Sequence, residues 1–225
     1  MTSIDTILTG SIAPLGPRAA PSAIHKTPSS GKNWLGSEGF IKDAQGDRKN
    51  HGGPEKAVHH YAYDHYAGWK QEIGERDILN HAGAFGENIS TTGLTEETVA
   101  IGDVFQAGDA IIQVSQGRQP CWKLNFRFDT TDMALRVQRS GRTGWYYRVL
   151  QEGNVEAGDL LTLIERPSAE WTIRKAWHLL YVDTMNLEEL AVMAELEHLA
   201  QNWRDYAIKR LASRKVEDWS RRLQG

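Results

Sequence analysis

The chain has 225 residues, 40% of them hydrophobic and 24% charged, an ordinary composition with enough length for one large domain and a small one. Its formal charge of -3 argues against a general binder of nucleic acid, which needs a basic excess. No apolar run reaches the roughly eighteen residues of a membrane span. The start, MTSIDTILTGS, has no basic region leading into an apolar one, and a single cysteine cannot close an intramolecular disulfide, so a cytoplasmic protein is expected.

Residues 1–53 are rich in Gly, Pro and Ser between short apolar runs such as Ile4 to Leu8, a pattern of short strands and loops. The run from Lys56 to Tyr61 extends as a strand, and Tyr63 to Ile73 predicts a helix stopped by Gly74. Between Val99 and Ile164 a small unit recurs: Gly102-Asp103, Gly108-Asp109 and Gly158-Asp159 each stand immediately before an apolar strand. Glycine supplies unusual backbone angles and aspartate bonds its own backbone, so successive strands can reverse direction. Thr131 to Ser140 predicts a second helix, with Asp129 or Thr130 as N-cap and Gly141 as the stop. The expected architecture is mainly β with α, a mostly antiparallel barrel carrying two inserted helices.

After Arg166-Pro167 the periodicity becomes helical, with Ile173, Ala176, Trp177, Leu180 and Tyr181 on one stripe. Asn186 and Glu189 resemble a capping box for a second helix, and Trp203, Tyr206, Ala207 and Leu211 mark a third. The expected division is a barrel domain over 1–166 and a three-helix domain over 167–225.

The sharpest chemical feature is Gln116-Gly117-Arg118-Gln119-Pro120-Cys121-Trp122-Lys123, a turn that presents the only thiol three residues after an arginine. Arg118, Lys123, Arg127, Arg136, Arg139, Arg142 and Arg148 face only Asp129 and Asp132 over this stretch, so an acidic chain gathers positive charge around its thiol. A thiolate is a soft metal ligand and nearby cations favour it, although a lone cysteine is more often a small buried hydrophobe. Both readings stay open on spacing alone. A glycine-rich basic segment around Lys49, Gly52 and Gly53 suits a phosphate or a mobile surface turn, and the loop at Phe85-Gly86-Glu87-Asn88 suits a heterocycle or an ordinary hairpin. A zinc site built on His51, His59, His60 and His65 lacks a His-Glu-x-x-His motif and a second cysteine.

Taken in order, HGGPEKAVHHY, FGEN, SQGRQPCWKL and GRTGWYYRVL resemble the MOSC domain family, the molybdenum cofactor sulfurase C-terminal domain. With the helical tail, the likeness to its bacterial YiiM-type branch spans essentially the whole chain. The resemblance implies a MOSC-type antiparallel β-barrel, a pterin cofactor at the barrel mouth and molybdenum held by Cys121. It also implies Arg118 at the cofactor phosphate or tuning the metal, with Lys49, Gly52, Gly53, His60, Glu87 and Asn88 lining the pocket. One departure stands at Gly117, where that branch commonly has proline.

The implied activity is a molybdenum cofactor (molybdopterin)-dependent oxidoreductase, reducing N-hydroxylated compounds such as 6-N-hydroxylaminopurine or hydroxylamines to amine and water, a detoxifying reaction. Cys121 tunes the metal, and His60 or Glu87 is a candidate proton donor if within hydrogen-bond reach. No flavin or dinucleotide fingerprint and no iron–sulfur cysteines are present, so electrons are expected from a separate flavoprotein reductase. No nucleic acid polymer and no membrane is expected as a partner, and the oligomeric state is open. The alternatives are a carrier of cofactor or sulfur without reductase activity, and a scaffold whose helical tail is the docking surface.

Overall fold

The computed structural model describes residues 2–46 and 52–225. Nine strands form the principal sheet in the order Thr2–Ser3, Leu160–Glu165, Val104–Ala107, Ala110–Gly117, Trp145–Gln151, Val58–Ala62, Ile89–Thr91, Thr6–Thr9 and Thr27–Pro28. Neighbours are antiparallel except Val58–Ala62 and Ile89–Thr91, which run parallel. A parallel neighbour needs a crossover, and the helix His65–Ile73 supplies it. The ladder is open at Thr2–Ser3 and Thr27–Pro28, so it is not a closed ring. Its two sides are instead linked by the N-terminal chain, where the Ile4 N–H donates to Asp159 O and the Asp5 N–H to Ser90 O.

The three Gly-Asp units stand where the strands turn. Gly102, Gly108 and Gly158 have φ of 84°, 55° and 96°, the left-handed region that favours glycine. Asp103 then accepts from the Ala100 N–H and Asp159 from the Glu156 N–H. The inserted helices begin later than expected. His65–Ile73 starts after the turn at Tyr63, while Met133–Ser140 follows Asp132, which makes no side-chain cap bond; Asp129 is instead left-handed at φ 45°. Gly141 does close the second helix at φ 75°. A further short helix, Lys123–Arg127, lies directly after the cysteine.

Thr172 and Asn186 cap the helices Ile173–Tyr181 and Leu187–Glu195 by accepting from the N–H three residues on. Gln201–Ser213 is the third helix, and Ser220–Gln224 adds a short fourth that the periodicity did not signal. The helices share one apolar core with the sheet, in which Trp171, Ile173, Leu190 and Trp203 join Ile7, Ile112 and Val114. A second cluster around Tyr61, Trp69, Phe85, Leu124 and Phe128 lies under the inserted helices. Among the described residues no helix is long and apolar enough to cross a membrane.

Candidate functional site

The strand Ala110–Gly117, buried along nearly its whole length, ends immediately before Arg118. The Arg118 N–H donates to Gly144 O at 2.9 Å, which fixes the chain's exit from the sheet. Gln119 reaches the helical tail by donating to the Tyr181 hydroxyl at 2.8 Å. Cys121 follows, buried, and its carbonyl accepts from the Leu124 N–H at 3.0 Å, opening the helix Lys123–Arg127.

Cys121 stands in the wall between two spaces. The inner pocket is bounded by Ser22–Ile24, Lys26, Asp43–Gly46, Lys56, His59, Phe85, Gly86, Asn88, Arg118, Cys121, Lys123 and Tyr146. An outer cleft of about 740 Å³ shares Lys56, Cys121, Lys123 and Tyr146, and Asn202, Tyr206, Trp219 and Arg222 from the helical tail complete it. Cys121 thus borders a pocket of the sheet on one side and a cleft roofed by helices on the other.

Among the described residues, four cationic side chains line the inner pocket against one carboxylate. That carboxylate, Asp43, is consumed internally: it pairs with Lys26 and accepts from the Gly10 N–H at 2.7 Å and the Asn88 side chain at 2.8 Å. Burial lowers the Lys26 ammonium below its ordinary range, opposed by Asp43. Lys123 donates to Pro21 O at 2.8 Å. Arg118 is different. Its Nη1 is buried without a hydrogen-bond partner, and so is Nε2 of His59. Buried polar atoms are nearly always bonded, so an orphaned guanidinium nitrogen on a pocket wall marks a place for an acceptor.

Burial, and after it the positive charge of Arg118, holds the His59 imidazole well below its ordinary range, opposed by a hydrogen bond to the Gly86 backbone. Burial also raises the Tyr146 hydroxyl, opposed by Arg118. At neutral pH the pocket therefore presents a neutral imidazole and a protonated phenol.

The structure brings Cys121, Arg118 and Asn88 to one pocket and leaves Gly52, Gly53, His60 and Glu87 off its wall. His60 points to the other face of its strand, as adjacent strand residues must. Its Nδ1 meets the Tyr147 hydroxyl and its Nε2 the Thr91 hydroxyl, both at 2.9 Å, with the Trp145 ring 4.3 Å away. Burial lowers its pKa to about 3, so His60 is a neutral core residue, and it does not line this pocket. The Glu87 carboxylate is fully buried and accepts from Tyr66, from the Gly83 N–H at 2.6 Å and from the Phe85 N–H at 3.0 Å. It ties the turn that presents Phe85, Gly86 and Asn88, and does not itself face the pocket.

Gly53, at φ 87°, opens the turn Pro54–Lys56 and its carbonyl accepts from the Lys56 N–H at 2.9 Å. Gly52 and Gly53 therefore precede a lining residue without lining. Lys49 lies outside the described residues. The sequence reading missed His59, Lys26, Asp43, Lys56 and Tyr146, although three of these stand inside the quoted motifs HGGPEKAVHHY and GRTGWYYRVL. It also overcounted free charge, since Arg136, Arg142 and Arg148 pair with Asp132, Glu72 and Glu55.

A curled mixed sheet with a thiol loop at one mouth and a helical tail over it defines the class. Residues 47–162 match the family model described as MOSC domain, and residues 171–214 match the YiiM-like, 3-alpha helix domain. The chain belongs to the MOSC domain family, with the helical domain of its YiiM-like members. It is 42% identical to Protein YiiM of Escherichia coli over 213 residues, 93% of each chain. Identity to the uncharacterized protein YflK of Bacillus subtilis is also 42%, over 84% of each. A Gibberella moniliformis protein named "Reductase" is 37% identical over 85% of this chain and 34% of its own length. Among solved structures, YiiM from Escherichia coli superposes with a TM-score of 0.85 at 35% identity, covering all of both chains. YiiM from Geobacillus stearothermophilus gives 0.80 at 34% identity, over 94% of this chain and all of its own.

Proposed function

We propose that this protein is a molybdenum cofactor-dependent reductase that cleaves the N–O bond of N-hydroxylated compounds to give amine and water. The observation that carries this reading is the orphaned Nη1 of Arg118 on the same wall as Cys121, in a pocket whose only carboxylate among the described residues is already taken by Lys26. Those residues fit the group: a soft thiolate suits molybdenum, and a guanidinium with one unbonded nitrogen, beside Lys56 and Lys123, suits the phosphate of a pterin. The reductase name of the fungal relative supports the reaction class.

When bound, the molybdenum centre supplies the two electrons that N–O cleavage requires. Cys121 holds the metal at the wall shared by pocket and cleft. Arg118, with Lys56 and Lys123, would hold the anionic end of the cofactor, and Asn88, whose amide donates to Leu8 O and Asp43 and accepts from the His59 N–H at 3.1 Å, braces the wall beside them. The Tyr146 hydroxyl, kept protonated by burial and lining both spaces, is positioned to give a proton; His59, neutral at pH 7, is its neighbour at 5.2 Å between ring centroids. Substrate enters through the outer cleft. Two protons and two electrons balance each amine and water formed, and the electrons come from a separate flavoprotein reductase.

The test is metal and pterin content by mass spectrometry on protein from a host that makes molybdenum cofactor, comparing wild type with Cys121→Ala, followed by turnover of an N-hydroxylated base with a flavin reductase. Stoichiometric molybdenum lost on substitution, with turnover in the wild type, is the expected result. Cofactor without turnover makes the protein a carrier. No molybdenum in either protein overturns the reading.

A further inference from the structure

Cys121 is flanked by two peptide groups, and one residue more than 100 positions away bonds to both. The guanidinium Nη1 of Arg222 donates to the carbonyl of Pro120, and the Arg222 carbonyl accepts from the Trp122 N–H at 2.8 Å. Its Nη2 donates to the Gln138 side chain, so the fork spans the cysteine loop and the helix Met133–Ser140. The next residue continues the grip, the Leu223 carbonyl accepting from Asn125 at 3.0 Å.

The anchor for this grip lies in the helical tail. Arg222 sits over the ring of Trp219 at 4.9 Å, and Trp219 is packed edge-on by Tyr206 and Tyr181, with centroids at 5.1 and 5.7 Å. Tyr181 is also the residue whose hydroxyl holds Gln119. Pro120 has no N–H and the loop from Gln119 to Cys121 has no regular structure of its own, so these contacts decide where the thiol points.

We propose that Arg222 is a positioning residue for the reaction, fixing the Cys121 loop so that the thiol stands in the wall between pocket and cleft. The segment that supplies it, residues 215–225, lies beyond both family matches. The contacts are of the strong kind, a charged fork on a carbonyl, and they act on the peptides that set the thiol's direction. The consequence for cofactor rests on the reading of Cys121 given above, but the loop's restraint does not.

Because the chain has one cysteine, its alkylation reports on this loop alone. Cofactor-free wild type, Arg222→Gln, Arg222→Lys and Lys215→Gln are treated with iodoacetamide across a pH series, with thermal denaturation run alongside. Lys215 is an exposed cation of the same tail that touches no part of the loop. Arg222→Gln is expected to raise the alkylation rate on the order of tenfold, as local opening of a loop held by charge-assisted bonds becomes easier, and to move its pH midpoint. Arg222→Lys restores part of the protection and Lys215→Gln changes nothing. In protein from a host that makes the cofactor, Arg222→Gln then carries less molybdenum per chain. Wild-type alkylation in Arg222→Gln with the fold intact overturns the proposal. Equal acceleration in Lys215→Gln also overturns it, by assigning the effect to the tail's charge. Faster alkylation with no molybdenum in any variant keeps the brace and removes only the cofactor.

Discussion

The ring of Trp203 stands against Gly117 so closely that a Cβ at position 117 would lie 2.8 Å from Cη2 and 3.3 Å from Cζ2. Gly117 is therefore the point where the third tail helix meets the last residue of the strand leading to Cys121. Gly117→Ala is expected to destabilise the protein by about 1–3 kcal/mol through overpacking, and the double variant with Trp203→Leu to lose less than the sum of the two single losses. Urea denaturation of the single and double variants measures both. Additive losses would show that the two residues do not share a contact.

His60 gives the fold a defined acid sensitivity. Its folded pKa is about 3 against an ordinary 6.5, so the unfolded chain takes up a proton where the folded chain does not. Stability is whole above about pH 6.5 and is lost as pH falls toward 3, with a slope of up to about 1.4 kcal/mol per unit from this one group. His59 acts in the same direction. Replacing His60 by Gln should flatten the profile by one proton while costing stability at pH 7, because Tyr147 and Thr91 lose their partner. Urea midpoints between pH 4 and 7 provide the comparison, and an unchanged slope in the variant would remove His60 from the account.

The pair His59 and His60 also shows where the sequence was silent. Every residue of Val58–Ala62 is buried, so no polar alternation reveals which face meets the pocket, and the two histidines are indistinguishable until the sheet is built. The Gly-Asp turns and the capped tail helices were legible because glycine at positive φ and an Asn or Thr side chain on a helix N–H are local requirements. So was the turn presenting Cys121. Lys26 and Asp43 come from irregular N-terminal chain, and Arg222 from a five-residue helix without periodicity. Their places are set by contacts across the whole fold, which no local pattern encodes.

Arg210 locks the tail that carries Arg222. Its side chain is fully buried, pairs with Glu217 through Nε at 2.9 Å and Nη2 at 2.6 Å, and donates to Leu180 O at 3.1 Å. Glu217→Ala leaves the guanidinium buried with carbonyls alone, and breaking a buried pair costs about 3–5 kcal/mol. The loss should appear first as hydrogen exchange in residues 215–225 and in the loop at Cys121, since the tail loosens before the sheet does. Exchange confined to the tail, with the cysteine loop still protected, would separate Arg210 from the brace.

Arg118 offers the sharpest separation of binding from folding. Because its Nη1 has no protein partner, Arg118→Met forfeits little at that atom, and the loss of its bond to Tyr146 keeps the expected change in stability near 1 kcal/mol. Cofactor retention should fall far more, on the order of tenfold in molybdenum and pterin per chain, since a charge-assisted contact to an anion disappears in a buried place. Arg118→Lys keeps the charge but not the planar fork and should fall between the two. Only Arg118→Met removes the positive charge beside the His59 imidazole, so its pKa rises there and not with Lys, a difference that proton NMR of the His59 ring can follow. Full retention of cofactor by Arg118→Met, with the fold intact, would mean that the orphaned nitrogen holds nothing and that Lys56 and Lys123 bear the anion alone.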